Sequence, residues 1–399
     1  MNGYHSKYEF VNGATRRIAF QNASTDRGIA AVWTYRNPVD VRFGAGSFAG
    51  LAGLIGARSY ALVTYADPYF RGLADELAGR AGRAAIVVDD IAPNPDVAAL
   101  TAQCARFAGL ARAPEVIVAL GGGSVIDSAK VFAAARGDFA VVGAYLKGVA
   151  GASLPEPTPL IAVPTTGGTG SEVTCWGTVW DNAAGAKYSL AHPRLYPQIA
   201  LVDPALMLAK PRELTIQTGL DALSHALESL WNRNANPVSM AHAITAARGA
   251  LATLPRLAND LQNLALREAM ARAALLAGFA FSNTKTAIAH SISYPITLRH
   301  NVPHGVACSF TLPMVMRSME GVGGLCGEGL AAIFGTDSMA AAADALQRQL
   351  EALGIATAPA SYGIAEDEWR ALILAAFDGE RGQNFIGERG RMLAAAGLD

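Results

Sequence analysis

Between residues 59 and 166 four short runs rich in β-branched residues recur: SYALVTY (59–65), AAIVVDD (84–90), EVIVALGGGS (115–124) and PLIAVPTT (159–166). Turn residues bound each run, and helical stretches such as 98–111 and 125–135 lie between them. This alternation constrains the chain more than any other feature. Strands joined by helical crossovers pair in parallel, and a parallel sheet needs helices on its faces. VWTYRNPVDVRFG (32–44) is expected to add an edge hairpin or strand. After ALVDPALMLAKPRE (200–213) the strand signals fade, Pro211 sits where a helix would begin, and Ala- and Leu-rich helical spacing runs almost to the end. The expected organisation is a polar extension over 1–30, an α/β domain with a parallel, Rossmann-like sheet over 31–209 and an all-helical domain over 210–399. A cleft between the two domains is the default location for a ligand.

Composition narrows the functional classes. A chain of 399 residues is long enough for two domains, and its 51% hydrophobic and 16% charged residues imply a large buried core. The apolar runs are too short to span a membrane, and MNGYHSKYEFVNGATRR lacks the apolar centre of a signal peptide. A net charge of −1 without a basic run argues against nucleic acid or an anionic membrane as partner. Cys104, Cys175, Cys308 and Cys326 form no CxxC pair and read as reduced, buried thiols of a cytoplasmic protein.

Two glycine-rich segments follow predicted strands. In EVIVALGGGSVIDSAK, Gly121, Gly122, Gly123 and Ser124 join a buried-type strand to a helix. Backbone amides there can approach an anion at the positive end of the helix. A tight turn without a ligand would look the same, and the run is neither a GxGxxG fingerprint nor a Walker loop. The second segment, VPTTGGTGSEVT (163–174), shifts the balance. Two such loops at the carboxyl edge of one sheet fit a pyrophosphate.

Three of the chain's seven histidines, His290, His300 and His304, fall within HSISYPITLRHNVPHG (290–305). Upstream, TGLDALSHALESLWN (218–232) reads as a helix on which Asp221 and His225 share a face. Alone, that pair is more often a carboxylate bonded to a histidine on a helix surface. With His290 and His304 it makes an N3O set suited to zinc or ferrous iron. His300 has no helical relation to its neighbours across Pro295 and Pro303, and His5, His192 and His242 read as surface or structural residues.

The motifs RNPVDVRFG, PNPD, GGGSVIDSAK, VPTTGGTGSEVT, LVDPAL, GLDALSHALES and AGFAFSN…AH…NVPHGVA, in this order from Asn37 to Pro313, resemble those of the iron-containing (group III) alcohol dehydrogenase family. The resemblance implies a dehydroquinate synthase-like architecture and metal ligands Asp221, His225, His290 and His304. It implies that NAD or NADP is held by Asn94, Gly122, Gly123, Ser124, Asp127, Thr165, Thr166, Thr169 and Lys187. It further implies a homodimer. Three positions depart from the family pattern: Tyr294 stands where a histidine proton relay is usual, Tyr65 where an aspartate would repel a 2′-phosphate, and Lys285 where the residue is usually small.

TVWD (178–181), KYSL (187–190), ALESLWN (226–232) and TKTAIAHSISYPIT (284–297) are similar to one subgroup, the phosphonoacetaldehyde reductases of phosphonate metabolism. The implied reaction is hydride transfer between nicotinamide and a small aldehyde polarised by Fe2+ or Zn2+, with Tyr294 or water passing the proton. Two readings of Lys285 stay open: its stem reaches the cleft and, with Arg299, binds an anionic substrate group, or it runs out to solvent. The alternative functions are a dehydroquinate synthase-like lyase and a non-enzymatic nucleotide-binding module.

Overall fold

The structure, a computed structural model, describes residues 32–398, with two short segments before them, Phe10–Val11 (β1) and Ala14–Thr15 (β2), paired antiparallel. The rest of the extension expected at 1–30 lies outside the described residues. Asp40–Phe43 (β3), Tyr60–Val63 (β4), Ile86–Val88 (β5), Val116–Gly121 (β6) and Leu160–Pro164 (β7) belong to one sheet. Trp176–Asp181 (β8) and Ala186–Ala191 (β9) form a separate antiparallel hairpin, and Ile199–Val202 (β10) returns to the sheet. The sheet order is β3-β10-β7-β6-β4-β5, parallel throughout.

Burial follows position in the sheet. β4, β6 and β7 are buried at every residue, which explains their unbroken apolar runs. The edge strand β3 alternates exposed and half-buried residues, so its polar Asp40 and Arg42 are tolerated. One sheet face packs Ile117, Ala119 and Ala162 against Ile126, Phe132 and Leu100, and the other packs Val118, Leu120 and Ile161 against Leu51 and Leu77.

The expected α/β architecture followed by a helical region is therefore present. The sequence reading missed two features. β10 is only four residues, IALV, and a short apolar run has no periodicity to distinguish it. The β8–β9 hairpin was also unanticipated, and it carries Lys187 opposite Trp180.

Beyond the sheet, helix Arg212–Leu230 leads the helical region, with Pro211 at its N-cap. Helices Pro237–Leu257 and Leu264–Thr284 pack against it around Leu220, Leu223, Leu227 and Trp231. The division proposed near residue 209 falls between β10 and this first helix. Among the described residues no helix is long and apolar enough to cross a membrane.

Candidate functional site

A cleft of about 730 Å³ runs from the carboxyl edge of the sheet to the first long helix of the helical region. Asn94, Gly122, Gly123, Ser124, Asp127, Thr165, Thr166, Thr169 and Lys187 all line it, as do Asp221, His225, His290, His304 and Tyr294. The glycine turn after β6 opens helix Gly123–Ala135, whose N-terminus has no side-chain cap. A Cβ on Gly123 would lie 2.6 Å from Thr169 Cγ2, so the two glycine-rich loops pack face to face here. An uncapped helix end in such a cradle is suited to an anion. Asp127 ties the floor together, accepting from Ser171 Oγ at 2.6 Å and from the Thr178 amide at 2.9 Å. Asn94 holds a left-handed conformation, φ 57°, which asparagine adopts more readily than most residues. Buried Lys130 donates to the Ser171 and Trp176 carbonyls and to the Ser171 and Thr174 hydroxyls, fixing the second loop.

At the helical end, Asp221 Oδ1 lies 3.7 Å from His225 Nε2, 3.6 Å from His290 Nε2 and 4.0 Å from His304 Nε2. Asp221 and His225 come from one helix, as their spacing predicted. Helix Ile288–His300, continuous through Pro295, supplies His290, and the short helix His304–Ser309 starts with His304. Gly305 packs so closely on the first helix that a Cβ there would lie 2.0 Å from the Gln217 carbonyl oxygen. Any other residue after His304 would push its ring out of the cluster. His225 stacks on Phe281 at 4.0 Å between ring centroids and on His290 at 4.7 Å.

Glu228, two turns after Asp221 on the same helix and fully buried, orients His290. Its carboxylate accepts from the His290 amide at 3.1 Å and lies 2.5 Å from Nδ1. With Nδ1–H donating to Glu228, Nε2 turns its lone pair toward Asp221 Oδ1. Both atoms are buried and, among the described residues, neither has a hydrogen-bond partner. Two lone-pair atoms facing each other at 3.6 Å repel unless a proton or a metal ion lies between them. Burial pushes the His225 pKa down to about 4, and burial likewise holds His304 well below the usual imidazole range. Burial would raise the Asp221 carboxyl, but its histidine neighbours outweigh this and hold it below the ordinary carboxylate range. Burial would lower His290 too, but Cys308, Glu228 and Asp221 outweigh it and hold it above the ordinary imidazole range, so a divalent ion taking this donor set displaces the proton from Nε2. The donor atoms of Asp221, His290 and His304 lie within 4.8 Å of one another, which fits such an ion, and His225 Nε2 approaches the same Asp221 oxygen at 3.7 Å.

Cys308, read earlier only as a buried thiol, lies one turn after His304. Its sulfur is within 4.8 Å of the Asp221, His290 and His304 donor atoms. Burial raises its pKa, so it sits beside the cluster as a thiol. The His304–Cys308 spacing was the available signal, as the seven-residue spacing of Asp221 and Glu228 was for Glu228.

Tyr294 stacks on His304 at 5.9 Å, with the Lys187 ammonium 3.6 Å and the Arg381 guanidinium 5.5 Å from its ring centroid. Burial alone would raise the phenol, but Arg381, Lys187 and His290 outweigh it and bring its pKa below the ordinary value.

Lys285 and Arg299 are not brought into the cleft. Lys285 is the break between helices Leu264–Thr284 and Ile288–His300, not a position within a helix, and its φ is 63°. That backbone turns its side chain outward onto Glu380 at 2.6 Å, with both side chains at least half exposed. The neighbouring Thr286 lines the cleft instead. Arg299 is exposed near Glu368 at 3.7 Å, and the same carboxylate binds His300 at 3.0 Å, which accounts for the third histidine of the cluster. His192 caps a short turn and His242 packs against Tyr35 and Phe279, while His5 lies outside the described residues.

Comparison with known proteins places the chain. The family model described as iron-containing alcohol dehydrogenase matches residues 38–204, and that of the Fe-containing alcohol dehydrogenase family, C-terminal, matches residues 215–387. An NAD-dependent methanol dehydrogenase of Bacillus methanolicus is 32% identical over 340 residues, 81% of this chain and 87% of that protein. A phosphonoacetaldehyde reductase of Streptomyces viridochromogenes is 37% identical over 239 residues, 58% of this chain and 59% of the relative. The crystal structure of a sulfoacetaldehyde reductase from Bifidobacterium kashiwanohense, in complex with NAD+, superposes with a TM-score of 0.84 at 30% identity, covering 92% of this chain and all of that one.

Proposed function

This chain belongs to the iron-containing alcohol dehydrogenase family, and on that premise we propose that its cleft carries hydride transfer between a nicotinamide dinucleotide and a small aldehyde beside a divalent metal. When bound, the ion supplies Lewis-acid polarisation of a carbonyl oxygen and the nicotinamide supplies the hydride. The chain's residues do the rest. Asp221, His225, His290 and His304 hold the ion, with Glu228 fixing the His290 tautomer. The amides of Gly123 and Ser124 receive the pyrophosphate at the helix N-terminus, flanked by Gly122, Thr165, Thr166, Thr169, Asn94 and Asp127. Lys187 reaches the cofactor from the β8–β9 hairpin. Tyr294 holds a proton at its phenol oxygen beside the metal ligands and delivers it to the alkoxide.

NAD is the proposed cofactor, in keeping with the two NAD-linked relatives. NADP should also be accepted. Tyr65 carries no charge to repel a 2′-phosphate, and Asp67 is engaged in capping its own helix through the Tyr69 and Phe70 amides. Iron and zinc both suit the donor set. The four free thiols support a cytoplasmic location, and the homodimer rests on the family resemblance. The lyase and the non-enzymatic module have no observation in their favour.

The reading rests above all on the two unpartnered atoms, Asp221 Oδ1 and His290 Nε2, converging at the floor of a cleft lined by two glycine-rich loops. Its test is NADH oxidation by short aldehydes after loading with Fe2+ or Zn2+. Metal-dependent turnover is expected. An absence of turnover with every aldehyde and both metals would reject it.

A further inference from the structure

The cleft beside Tyr294 carries, on Arg381, a positive charge that the reaction just described does not use. Lys187 and Arg381 both line it within reach of one ring, and among the described residues neither forms an ion pair. Each carboxylate lining the cleft has other work. Asp67 caps a helix, Asp127 binds Ser171 and Thr178, and Asp221 faces the histidines. Glu380, the residue before Arg381, is turned outward onto Lys285. A half-buried guanidinium without a carboxylate partner is costly unless an anion is brought to it.

Local structure holds Arg381 in this position. It precedes the turn Gly382–Asn384, where a Cβ on Gly382 would lie 1.8 Å from the Ala376 carbonyl oxygen, so the turn is pressed onto the preceding helix. Arg381 Nη1 reaches Thr286 Oγ1 at 3.3 Å, and Asn384 Nδ2 donates to the Thr286 carbonyl at 2.9 Å. Asn232 and Asn234 donate to the carbonyls of Lys285 and Thr284. Three amides thus anchor the helix break that aims Thr286 inward and Lys285 outward.

The geometry points to Arg381, with the Thr286 hydroxyl, as the group that binds an anionic tail of the substrate, making the preferred substrate a short aldehyde ending in a phosphonate or sulfonate. Arg381 lies 5.5 Å from the centroid of the Tyr294 ring, which itself stacks on ligand His304 at 5.9 Å, so the spacer between carbonyl and anion must be short. A guanidinium fork suits a tetrahedral oxyanion, and burial strengthens the pairing. This rests on the dehydrogenase reading above.

The test compares kcat/KM for phosphonoacetaldehyde, sulfoacetaldehyde and neutral propionaldehyde in the wild type, Arg381→Gln, Arg381→Lys and the surface control Arg299→Gln. The wild type is expected to prefer at least one anionic aldehyde, and the two anions distinguish the tails. Arg381→Gln should reduce the anionic-to-neutral ratio about 10- to 100-fold, mainly through KM. Arg381→Lys should recover part of it, and Arg299→Gln should leave it unchanged. As a binding readout that needs no turnover of the anion, ethylphosphonate should compete with propionaldehyde in the wild type and lose about the same factor in Arg381→Gln. A ratio that stays within about threefold, or ethylphosphonate inhibition unaltered by the substitution, would overturn the assignment. Absence of turnover with all three aldehydes in the wild type would instead reject the dehydrogenase reading.

Discussion

Glu228 and His290 are joined twice, through the histidine amide at 3.1 Å and the ring Nδ1 at 2.5 Å. The second contact sets the tautomer and leaves Nε2 free to ligate. Outer carboxylates of this kind typically contribute 10- to 100-fold to metal affinity. Glu228→Gln should therefore bind Zn2+ or Co2+ about 10- to 100-fold more weakly in a competition titration, with the circular dichroism spectrum unchanged. Equal affinity would show that the pair is structural only.

His304 is the most exposed of the four proposed ligands, its side chain one-third accessible from the cleft. Removing it should cost metal before it costs folding. His304→Ala should lose most of its bound metal by elemental analysis while its thermal unfolding stays cooperative. Metal content equal to the wild type would remove His304 from the ligand set.

Gly123 faces Thr169 with no room for a side chain. Gly123→Val should separate the two loops and raise the Kd for NADH about tenfold or more, leaving metal content intact. The same change at Gly122 should be milder, since its Cβ would meet Thr166 at 3.2 Å. Fluorescence titration with NADH measures both, and unchanged affinity in Gly123→Val would contradict the pyrophosphate cradle.

Lys285 pairs with Glu380 on the surface. Exposed pairs are worth about 0–1 kcal/mol, so Lys285→Met should alter stability by no more than that and leave KM for every aldehyde within about twofold. A large, selective rise in KM for an anionic aldehyde would return Lys285 to the cleft.

Local patterns made part of this site legible. The four-residue spacing of Asp221 and His225, the density of histidines over 290–304 and the glycines following a buried-type strand each encode their geometry within a few residues. Elsewhere the information is tertiary. Arg381 lies far along the chain from His290, and the packing of helix Glu366–Asp378 and the turn after it against Ile288–His300 delivers it to the cleft. Glu228 looks like an ordinary helix carboxylate until the partner helix buries it. Lys285 was misplaced because apolar residues on both sides hide the break in the helix, which is set by backbone strain at φ 63° and by asparagine amides from other elements.

The account stands or falls on direct hydride transfer in the metal-bearing cleft. The measurement is the fate of deuterium placed at the nicotinamide C4 of NADH, followed by NMR of the alcohol formed from a short aldehyde. One deuterium on the former carbonyl carbon, lost together with turnover when a chelator strips the metal, is the result expected. An alcohol without deuterium, or labelled turnover that persists in metal-free protein, would contradict it.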